Sequence, residues 1–173
     1  MNKHTIIVIF ASIIIIGSMA YSGWNIFAAH QIQIKAINEG YFSFFDLLNN
    51  GRILACNPLP LDASFKEMRI SVVYVNENIG SINYPNPVLN SNSESVQKGK
   101  LETDNPEQTQ YLALHFDAIY NKVIPTRIDL ENIAINVETD SQILGIIPHT
   151  TIKQYPGLEF WFLMDNQDKN YKC

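Results

Sequence analysis

The amino-acid sequence predicts a mainly β protein: an antiparallel β-sandwich with one helix, preceded by an N-terminal transmembrane helix. Three observations predict this fold class. A run of some two dozen uncharged residues opens the chain, short segments rich in β-branched residues follow with turn signals between them, and a single segment outside the first run has helical spacing. The pattern does not alternate strands with helices, which would have indicated a parallel sheet.

The first run covers residues 5–29 and is preceded by the lone basic residue Lys3. About 20 apolar residues are enough to cross the hydrocarbon core of a bilayer as a helix, so this run predicts a membrane anchor whose spanning part lies near residues 5–23. Aromatic side chains gather toward its far end, where amphipathic rings favour the headgroup zone: Tyr21, Trp24 and Phe27.

The nearest basic residues suggest the orientation of this anchor. Lys3 precedes it and Lys35 lies further away on the other side, so the positive-inside tendency favours a cytoplasmic N-terminus and an extracytoplasmic remainder in a single-pass protein of the cell membrane. A cleaved signal peptide is the alternative, because Ser18-Met19-Ala20 is a small-x-small site, and the domain would then be secreted after cleavage near Ala20. Apolar character that resumes at residues 26–29 favours the retained anchor, and both interpretations export the same domain.

The chain divides into four predicted segments: the anchor or signal peptide at 1–29, a connector at 30–40, a β-sandwich domain at 41–164 and a polar C-terminal tail at 165–173. The net charge of −5 is spread without basic clusters, so nucleic acid is not an expected partner. The favoured interpretation of the two cysteines is a buried free thiol at Cys56 and an exposed one at Cys173. Their pairing in an oxidising compartment stays open.

Several strands are predicted in the first half of the chain. Ile32 and Ile34 alternate with polar residues as in a first strand, and Asn49-Asn50-Gly51 predicts a hairpin turn between strands at 42–48 and 52–56. The prolines of Asn57-Pro58-Leu59-Pro60 then end the second of these strands. A second hairpin is predicted between strands at 68–75 and 79–82, followed by a surface loop at 84–95 and a strand at 95–102.

One helix is predicted outside the anchor. Asn105 can cap it, Pro106 suits its first position, and apolar residues recur at helical spacing up to Tyr120: Leu112, Phe116 and Ile119. Three more strands are then expected at 123–137, with a bulge near Glu131, and at 142–153 and 158–164. In the last of these, Phe160 and Phe162 would share one face and Trp161 the other, either buried or exposed to a partner.

Two passages resemble the opening of late-embryogenesis-abundant group 2 domains, also called water-stress and hypersensitive-response (WHy) domains. They are Asn57-Pro58-Leu59-Pro60-Leu61 and the hairpin sequence Val72-Val73-Tyr74-Val75-Asn76-Glu77-Asn78-Ile79-Gly80-Ser81, and Ile143-Leu144-Gly145-Ile146-Ile147-Pro148 is similar to a late segment of that family. The resemblance covers residues 41–159 and implies an immunoglobulin-like sandwich with one helix, as in the membrane-anchored versions of bacteria and archaea. It implies no catalysis and no cofactor, and it makes Asn57 and Gly80 structural positions.

Chemistry-bearing side chains form no motif in this sequence. A metal site from His115, Asp117 and His149 is conceivable, but isolated surface histidines are the expectation. The carboxylate pairs Asp129 with Glu131 and Glu138 with Asp140 are expected on a solvated sheet face, because glycosidase chemistry needs two carboxyls across a cleft. We therefore predict no catalytic, cofactor-binding or metal-binding residue and no cofactor.

These observations predict a non-enzymatic, membrane-tethered extracytoplasmic module that stabilises or scaffolds envelope proteins or takes part in a stress response. Its expected partners are the membrane, through the N-terminal helix, and other envelope proteins, with no small-molecule ligand evident. Two alternatives remain open: an accessory subunit of a membrane enzyme complex, and an envelope hydrolase, which the missing motifs disfavour.

Overall fold

The computed structural model describes residues 3–38, 41–121, 130–165 and 171–173. Helices and antiparallel strands occupy similar shares of this part of the chain. The elements, in chain order, are α1 (Lys3–Gln31), β1 (Gln33–Lys35), α2 (Phe44–Asn50), β2 (Arg52–Asn57), β3 (Ala63–Ser64), β4 (Glu67–Tyr74), β5 (Glu77–Pro85), β6 (Val88–Leu89), β7 (Ser93–Lys98), β8 (Lys100–Glu102), α3 (Pro106–Tyr120), a 3₁₀ turn (Leu130–Asn132), β9 (Ile133–Ile143), β10 (Ile147–Pro156) and α4 (Gly157–Met164).

The largest sheet has five antiparallel strands in the order β10-β9-β4-β5-β8. In its centre, Ile70 lies opposite both Val137 and Ile82, so the apolar residues of three strands meet on one face. Every second residue of β9 is buried from Ile133 to Ser141, as the two-residue period of a half-buried strand requires. The core lies on this face, and the opposite face carries mostly polar side chains.

Two smaller sheets lie beside the large one, with orders β1-β2-β7 and β3-β6. The single strand predicted at 95–102 is in fact two strands, β7 and β8, which belong to different sheets. Gly99 separates them and donates its N–H to Gly51 O at 2.7 Å. A Cβ atom at this position would lie 2.5 Å from Ile82 Cγ2, so the chain crosses between the sheets where only glycine fits.

The predicted strand at 42–48 is wrong, because this segment forms helix α2. Ser43 caps its start by accepting the N–H of Asp46 at 3.1 Å, and Gly51 ends it with φ 60° while donating to Leu47 O at 2.8 Å. A glycine in the left-handed region closes a helix as readily as it makes a hairpin turn. The Asn-Asn-Gly signal was therefore real, but it marks a helix end before β2.

The predicted strand at 158–164 is also wrong, because α4 occupies it. Three of its residues share one helical face and are buried, namely Phe160, Trp161 and Met164, whereas Phe162 is exposed. The strand alternation that placed Phe160 and Phe162 together therefore does not apply. Of the two alternatives for Trp161, the structure shows the buried one, with 7% of the residue exposed.

Other predicted elements are confirmed. The first strand exists as β1, β2 ends at Asn57, and β4 and β5 form the second hairpin. Helix α3 begins where predicted, and the Asn105 side chain accepts the N–H of Gln108 at 3.1 Å as its cap. The expectation of one helix outside the anchor is wrong, since the described residues contain α2, α3 and α4 in addition to α1.

Two boundaries in the second half also differ. The strand predicted at 123–137 begins in residues 122–129, which lie outside the described residues. Its second half is β9, which starts at Ile133, and Glu131 lies in the 3₁₀ turn rather than at a bulge. The strand predicted at 142–153 is instead the end of β9, a turn and most of β10. The surface loop predicted at 84–95 is wrong over most of its length, because this segment contains the end of β5 with the buried Tyr84, the whole of β6 and the start of β7.

Candidate functional site

Helix α1 consists of an exposed part and a buried part. Every residue from 4 to 21 is exposed, and this helix is long and apolar enough to cross a membrane, with a mean hydropathy of 2.2. In the remaining part, side chains on one face are buried against the domain: Ser22, Asn25, Ala28 and Ala29. At about 1.5 Å per residue, residues 4–20 extend roughly 25 Å, close to the thickness of a hydrocarbon core.

Polar contacts attach the buried part of α1 to two separate segments of the domain. Ser22 Oγ accepts the N–H of Leu144 at 2.9 Å, in the turn between β9 and β10. Asn25 Oδ1 accepts the N–H of Ser64 at 3.2 Å, on β3. The hydroxyls of Tyr21 and Ser64 are 2.7 Å apart. We call this set of contacts the junction, because it fixes the domain against the helix at the level where the exposed part ends.

After α1, the chain stays in contact with the domain and passes directly into β1. Ile32 N–H donates to Ala28 O at 3.0 Å, and Lys153 Nζ of β10 donates to Ile32 O at 3.2 Å. Partial burial lowers the pKa of Lys153. β1 then pairs with β2. The segment predicted as a connector at 30–40 thus contains a core strand, and its residues 39–40 lie outside the described part.

An open groove of about 660 Å³ lies at the junction, on the side of α1 that faces the domain. Its walls come from the helix, from the loop after β5 and from the end of β9, and they include Gly17, Ser18, Asn86, Gln142 and Gly145. Because Gly17 belongs to the exposed part of α1, the groove opens toward the predicted membrane surface. The lining is mixed polar and apolar, without a cluster of charges.

The outer face of the large sheet holds the carboxylates that the sequence singled out. Glu138 lies 3.5 Å from the Arg69 guanidinium, which also contacts Glu67 at 2.8 Å and Asn83 at 2.8 Å. Asp140 accepts the hydroxyl of Thr150 at 2.6 Å. These carboxylates are therefore balanced by their own neighbours on a sheet face. Glu131 lies in the 3₁₀ turn, and Asp129 lies outside the described residues.

The three residues weighed as a metal site are not brought together. Asp117 points to the start of α2 and accepts three hydrogen bonds there: from Phe44 N at 2.6 Å, Phe45 N at 3.0 Å and Ser43 Oγ at 2.7 Å. Burial raises the pKa of Asp117, and these hydrogen bonds oppose that shift. The ring centre of His115 lies 4.0 Å from that of Tyr111, with the two rings tilted, and His149 lies on β10. Among the described residues, no group of three His, Cys, Asp or Glu side chains could hold a metal ion.

Two positions from the family resemblance make structural contacts. Asn57 is fully buried; its amide donates to Leu61 O at 2.9 Å and to Leu89 O at 3.1 Å, and it accepts from Leu59 N–H at 3.1 Å. Gly80 lies opposite Val72, where the β4–β5 register shifts by one residue. Asn57 therefore bonds nearby backbone and Gly80 accompanies a bulge, which agrees with the structural roles that the resemblance implies for both positions.

The favoured interpretation of the cysteines as two free thiols is wrong. Cys56 and Cys173 form a disulfide, with their Cα atoms 6.0 Å apart, so the last residue of the chain is held against β2. Close by, the buried Lys35 ammonium lies 4.4 Å from the centre of the Tyr171 ring and 2.9 Å from Glu94. The end of the predicted polar tail is therefore tied to the three-stranded sheet.

The junction is not among the features predicted above, although the sequence contains a signal for it. Ser18, Ser22 and Asn25 recur at spacings of four and three, so they form a polar stripe along one face of an otherwise apolar helix. Such a stripe indicates a helix that contacts protein on one side. The disulfide had no comparable signal, because two cysteines this far apart in sequence give no information about their distance in space.

Comparison with known proteins adds no relative: no protein-family model and no curated protein sequence matches this chain.

Proposed function

We propose that this protein is a single-pass membrane protein whose domain lies outside the cytoplasm and works by surface contact, as a module that stabilises or scaffolds envelope proteins. The observation that carries the proposal is the division of α1 into an exposed apolar part of membrane length and a part built into the core. A helix of this kind holds the domain rigidly at the membrane surface, where it can contact other envelope proteins.

The disulfide supports the extracytoplasmic location. Disulfides persist in oxidising compartments and are rare in the cytosol. The bond between Cys56 and Cys173 therefore agrees with the orientation that Lys3 suggests, with the N-terminus inside and the domain outside. Cleavage near Ala20 remains the alternative, and it would release a domain that keeps Ser22 and Asn25.

We also propose that the domain is related to the immunoglobulin-like sandwich of WHy domains. Support comes from the Asn-Pro-x-Pro turn, in which Asn57 holds three backbone groups, and from the β4–β5 hairpin with its bulge beside Gly80. A role in stress rests on this resemblance alone. The extra helices α2 and α4 would then be additions that cover one face of the large sheet.

Surface contact is favoured over bond-making because the conspicuous polar side chains already have structural partners. Asp117 caps α2, Glu138 balances Arg69, and Asp140 accepts from Thr150. An accessory subunit of a membrane enzyme complex is a narrower form of the same proposal. An envelope hydrolase would need a cleft with convergent groups, and the residues that the structure describes form none that supports it.

Topology is tested by labelling cysteines on intact cells with a membrane-impermeant maleimide. We expect little labelling of the unreduced protein and strong labelling of Cys173 after treatment with an impermeant reductant, because the disulfide must open first. A Cys56→Ser variant, which leaves Cys173 with a free thiol, should be labelled without reduction. Labelling of either protein only after lysis would place the domain in the cytoplasm and contradict the proposal. The mass of the mature chain separates a retained anchor from a cleaved one.

A further inference from the structure

We propose that the turn between β9 and β10 inserts into the same membrane leaflet that α1 leaves, as a second membrane contact. This inference rests on the membrane anchoring proposed above. We call residues 144–147 the hairpin tip; its sequence is Leu144-Gly145-Ile146-Ile147.

The hairpin tip is apolar and exposed. Leu144, Ile146 and Ile147 expose 40%, 81% and 54% of their surface. Between Asp140 and Lys153 the chain has no Asp, Glu, Lys or Arg residue, and His149 is the one histidine there. Exposed apolar side chains on a protruding turn are costly in water, and they mark a contact with a lipid or protein surface.

The junction fixes the level of the hairpin tip along α1. Leu144 N–H donates to Ser22 Oγ at 2.9 Å, and Gly145 lines the same groove as Gly17. Residues 4–20 of the helix are the part of membrane length, so Ser22 lies at its outer boundary and Gly17 lies inside it. The tip is therefore level with the hydrocarbon edge of the outer leaflet.

Strand β9 also runs in the direction that the proposal requires. Near its middle, Val137 lines a small cavity together with Ala29 and Ile32 of the α1 end, whereas Leu144 just after its last residue contacts Ser22. The strand thus advances toward the N-terminal, membrane-side part of the helix. Ile146, at the turn beyond Leu144, comes after this advance and is the most exposed residue of the tip.

The backbone of the tip is suited to a low-dielectric setting. Leu144 N–H is bonded to Ser22, and Ile146 N–H donates to Ile143 O at 3.1 Å. Polar backbone groups that enter lipid need such partners, because no water is available to replace them. A turn with unbonded amides at both positions would oppose insertion.

A second exposed apolar side chain lies at a comparable level. Val88 on β6 exposes 56% of its surface and pairs with Ser64, whose hydroxyl contacts Tyr21 of α1. Two exposed apolar groups from different parts of the domain, both near the height at which the helix exits, favour a continuous surface as the common partner. The bilayer that surrounds α1 is such a surface, so we assign the tip to lipid rather than to a protein partner.

The test uses the full chain in phosphatidylcholine–phosphatidylglycerol vesicles, with an environment-sensitive NBD dye on one added cysteine. The native cysteines remain in their disulfide, so labelling is done without reductant. The test position is Ile146→Cys. Val75→Cys is the matched control, because Val75 is 55% exposed at the opposite end of the large sheet, where Tyr74 pairs with Ile133. Phe10→Cys reports on the anchor.

We expect the Ile146 probe to emit at shorter wavelength than the Val75 probe. It should also be quenched several-fold more by lipid-borne nitroxides and several-fold less by aqueous iodide. Equal behaviour of these two probes, with the Phe10 probe quenched by lipid, would overturn the tip proposal and leave the anchor intact. A Phe10 probe open to iodide would instead overturn the anchor. An Ile146 probe protected from both quenchers would show protein burial and also contradict insertion.

Discussion

Asp117 illustrates how one side chain can join two elements that lie far apart in the sequence. It is on α3, yet its carboxylate accepts hydrogen bonds from Ser43, Phe44 and Phe45 at the beginning of α2. The first N–H groups of a helix have no partner inside the helix, and a carboxylate there satisfies them and interacts favourably with the helix dipole. A residue that the sequence suggests as a metal ligand is therefore a helix cap from another element.

Replacing Asp117 with alanine should lower the free energy of unfolding by about 1–3 kcal/mol, because two amides and a hydroxyl lose their acceptor in a partly buried place. Chemical unfolding of the full chain in detergent measures this change. Asp104→Ala, which changes an exposed aspartate, is the matched control and should have little effect. Equal stability of the two variants would show that the cap is unimportant.

Trp161 belongs to a cluster of aromatic rings that joins α2, α3 and α4. Its ring centre lies 5.1 Å from that of Phe42 and 4.9 Å from that of Tyr120, whose pKa burial raises to about 12. Trp161→Ala should cost about 3–5 kcal/mol through lost packing. Phe162→Ala on the exposed side of α4 should cost far less. Thermal unfolding of both variants checks the difference, and similar losses would contradict the assignment of faces.

The ion pair between Lys35 and Glu94 predicts a pH dependence. The hydrogen bond from Lys35 is the main reason why the pKa of Glu94 is lowered below its ordinary value of 4.5. A lowered acid pKa stabilises the fold above the ordinary value, and this contribution is lost as pH falls through the pKa of the folded state. Glu94 is mostly exposed, so the effect should be well below about 1 kcal/mol after screening.

A pH series of unfolding midpoints for the wild type and Glu94→Gln measures this effect. The wild type should be the more stable protein at neutral pH, and the gap should close on acidification below 4.5. A gap that stays constant from neutral to acidic pH would exclude the pair as its cause.

Among the secondary-structure elements, α1 combines an exposed apolar part, long and apolar enough to cross a membrane, with a part that packs in the core. Its first part has the exposure of a lipid-facing helix, and its last turns supply Ala28 and Ala29 to the core, at 0% and 3% exposure. If α1 crosses the membrane as proposed, this arrangement differs from a domain on a flexible tether, because packing and the junction would set the position of the domain on the membrane. The hairpin tip and the groove then have fixed positions relative to the bilayer.

The dual role of α1 predicts different stabilities for two shortened chains. A chain that starts at Tyr21, as cleavage near Ala20 would leave it, keeps the buried part of the helix. A chain that starts at Gln31 loses Ser22, Asn25 and both alanines and exposes the surface that they cover. The longer chain should therefore unfold at a clearly higher temperature. Equal melting temperatures would show that the last turns of α1 add nothing to the domain.

For the whole molecule, the disulfide links Cys173 to β2, a strand in the first part of the domain. Cys56 and Cys173 are 117 residues apart, so the bond closes a loop that contains most of the domain. In the chain-entropy account, a closed loop of this length restricts the unfolded chain strongly, which stabilises the folded state. The same bond places Cys173 beside β2. β2 belongs to the three-stranded sheet that also contains β1, the strand that directly follows α1.

Cys173→Ser should lower the free energy of unfolding by about 2–5 kcal/mol. The wild type treated with a reductant should approach the stability of the variant, whereas the variant itself should not respond to the reductant. Urea unfolding of both proteins with and without reductant measures these values. A reductant effect of the same size on the variant would assign the loss to something other than the bond.

Elements with local signals can be predicted from the amino-acid sequence alone. The apolar helix of α1 follows from composition, α3 follows from its cap and proline, and the β4–β5 hairpin follows from β-branched runs around a turn. The break after Asn57 follows from proline, which cannot donate to a ladder. These features depend on the backbone preferences of neighbouring residues, so no tertiary contact is needed to specify them.

Elements with ambiguous local signals depend instead on long-range packing. Short apolar segments can be helix or strand, and α2 and α4 are helices because their apolar faces meet one another and α3 in the aromatic cluster. The split at Gly99, the pairing of Cys56 with Cys173 and the junction at Ser22 bring together residues distant in sequence. Periodicity in the sequence shows which face of an element is apolar, but it does not show which other element covers that face. The candidate membrane-contact surface depends on such contacts between distant residues, because the hairpin tip is held beside α1 by the bond between Leu144 and Ser22.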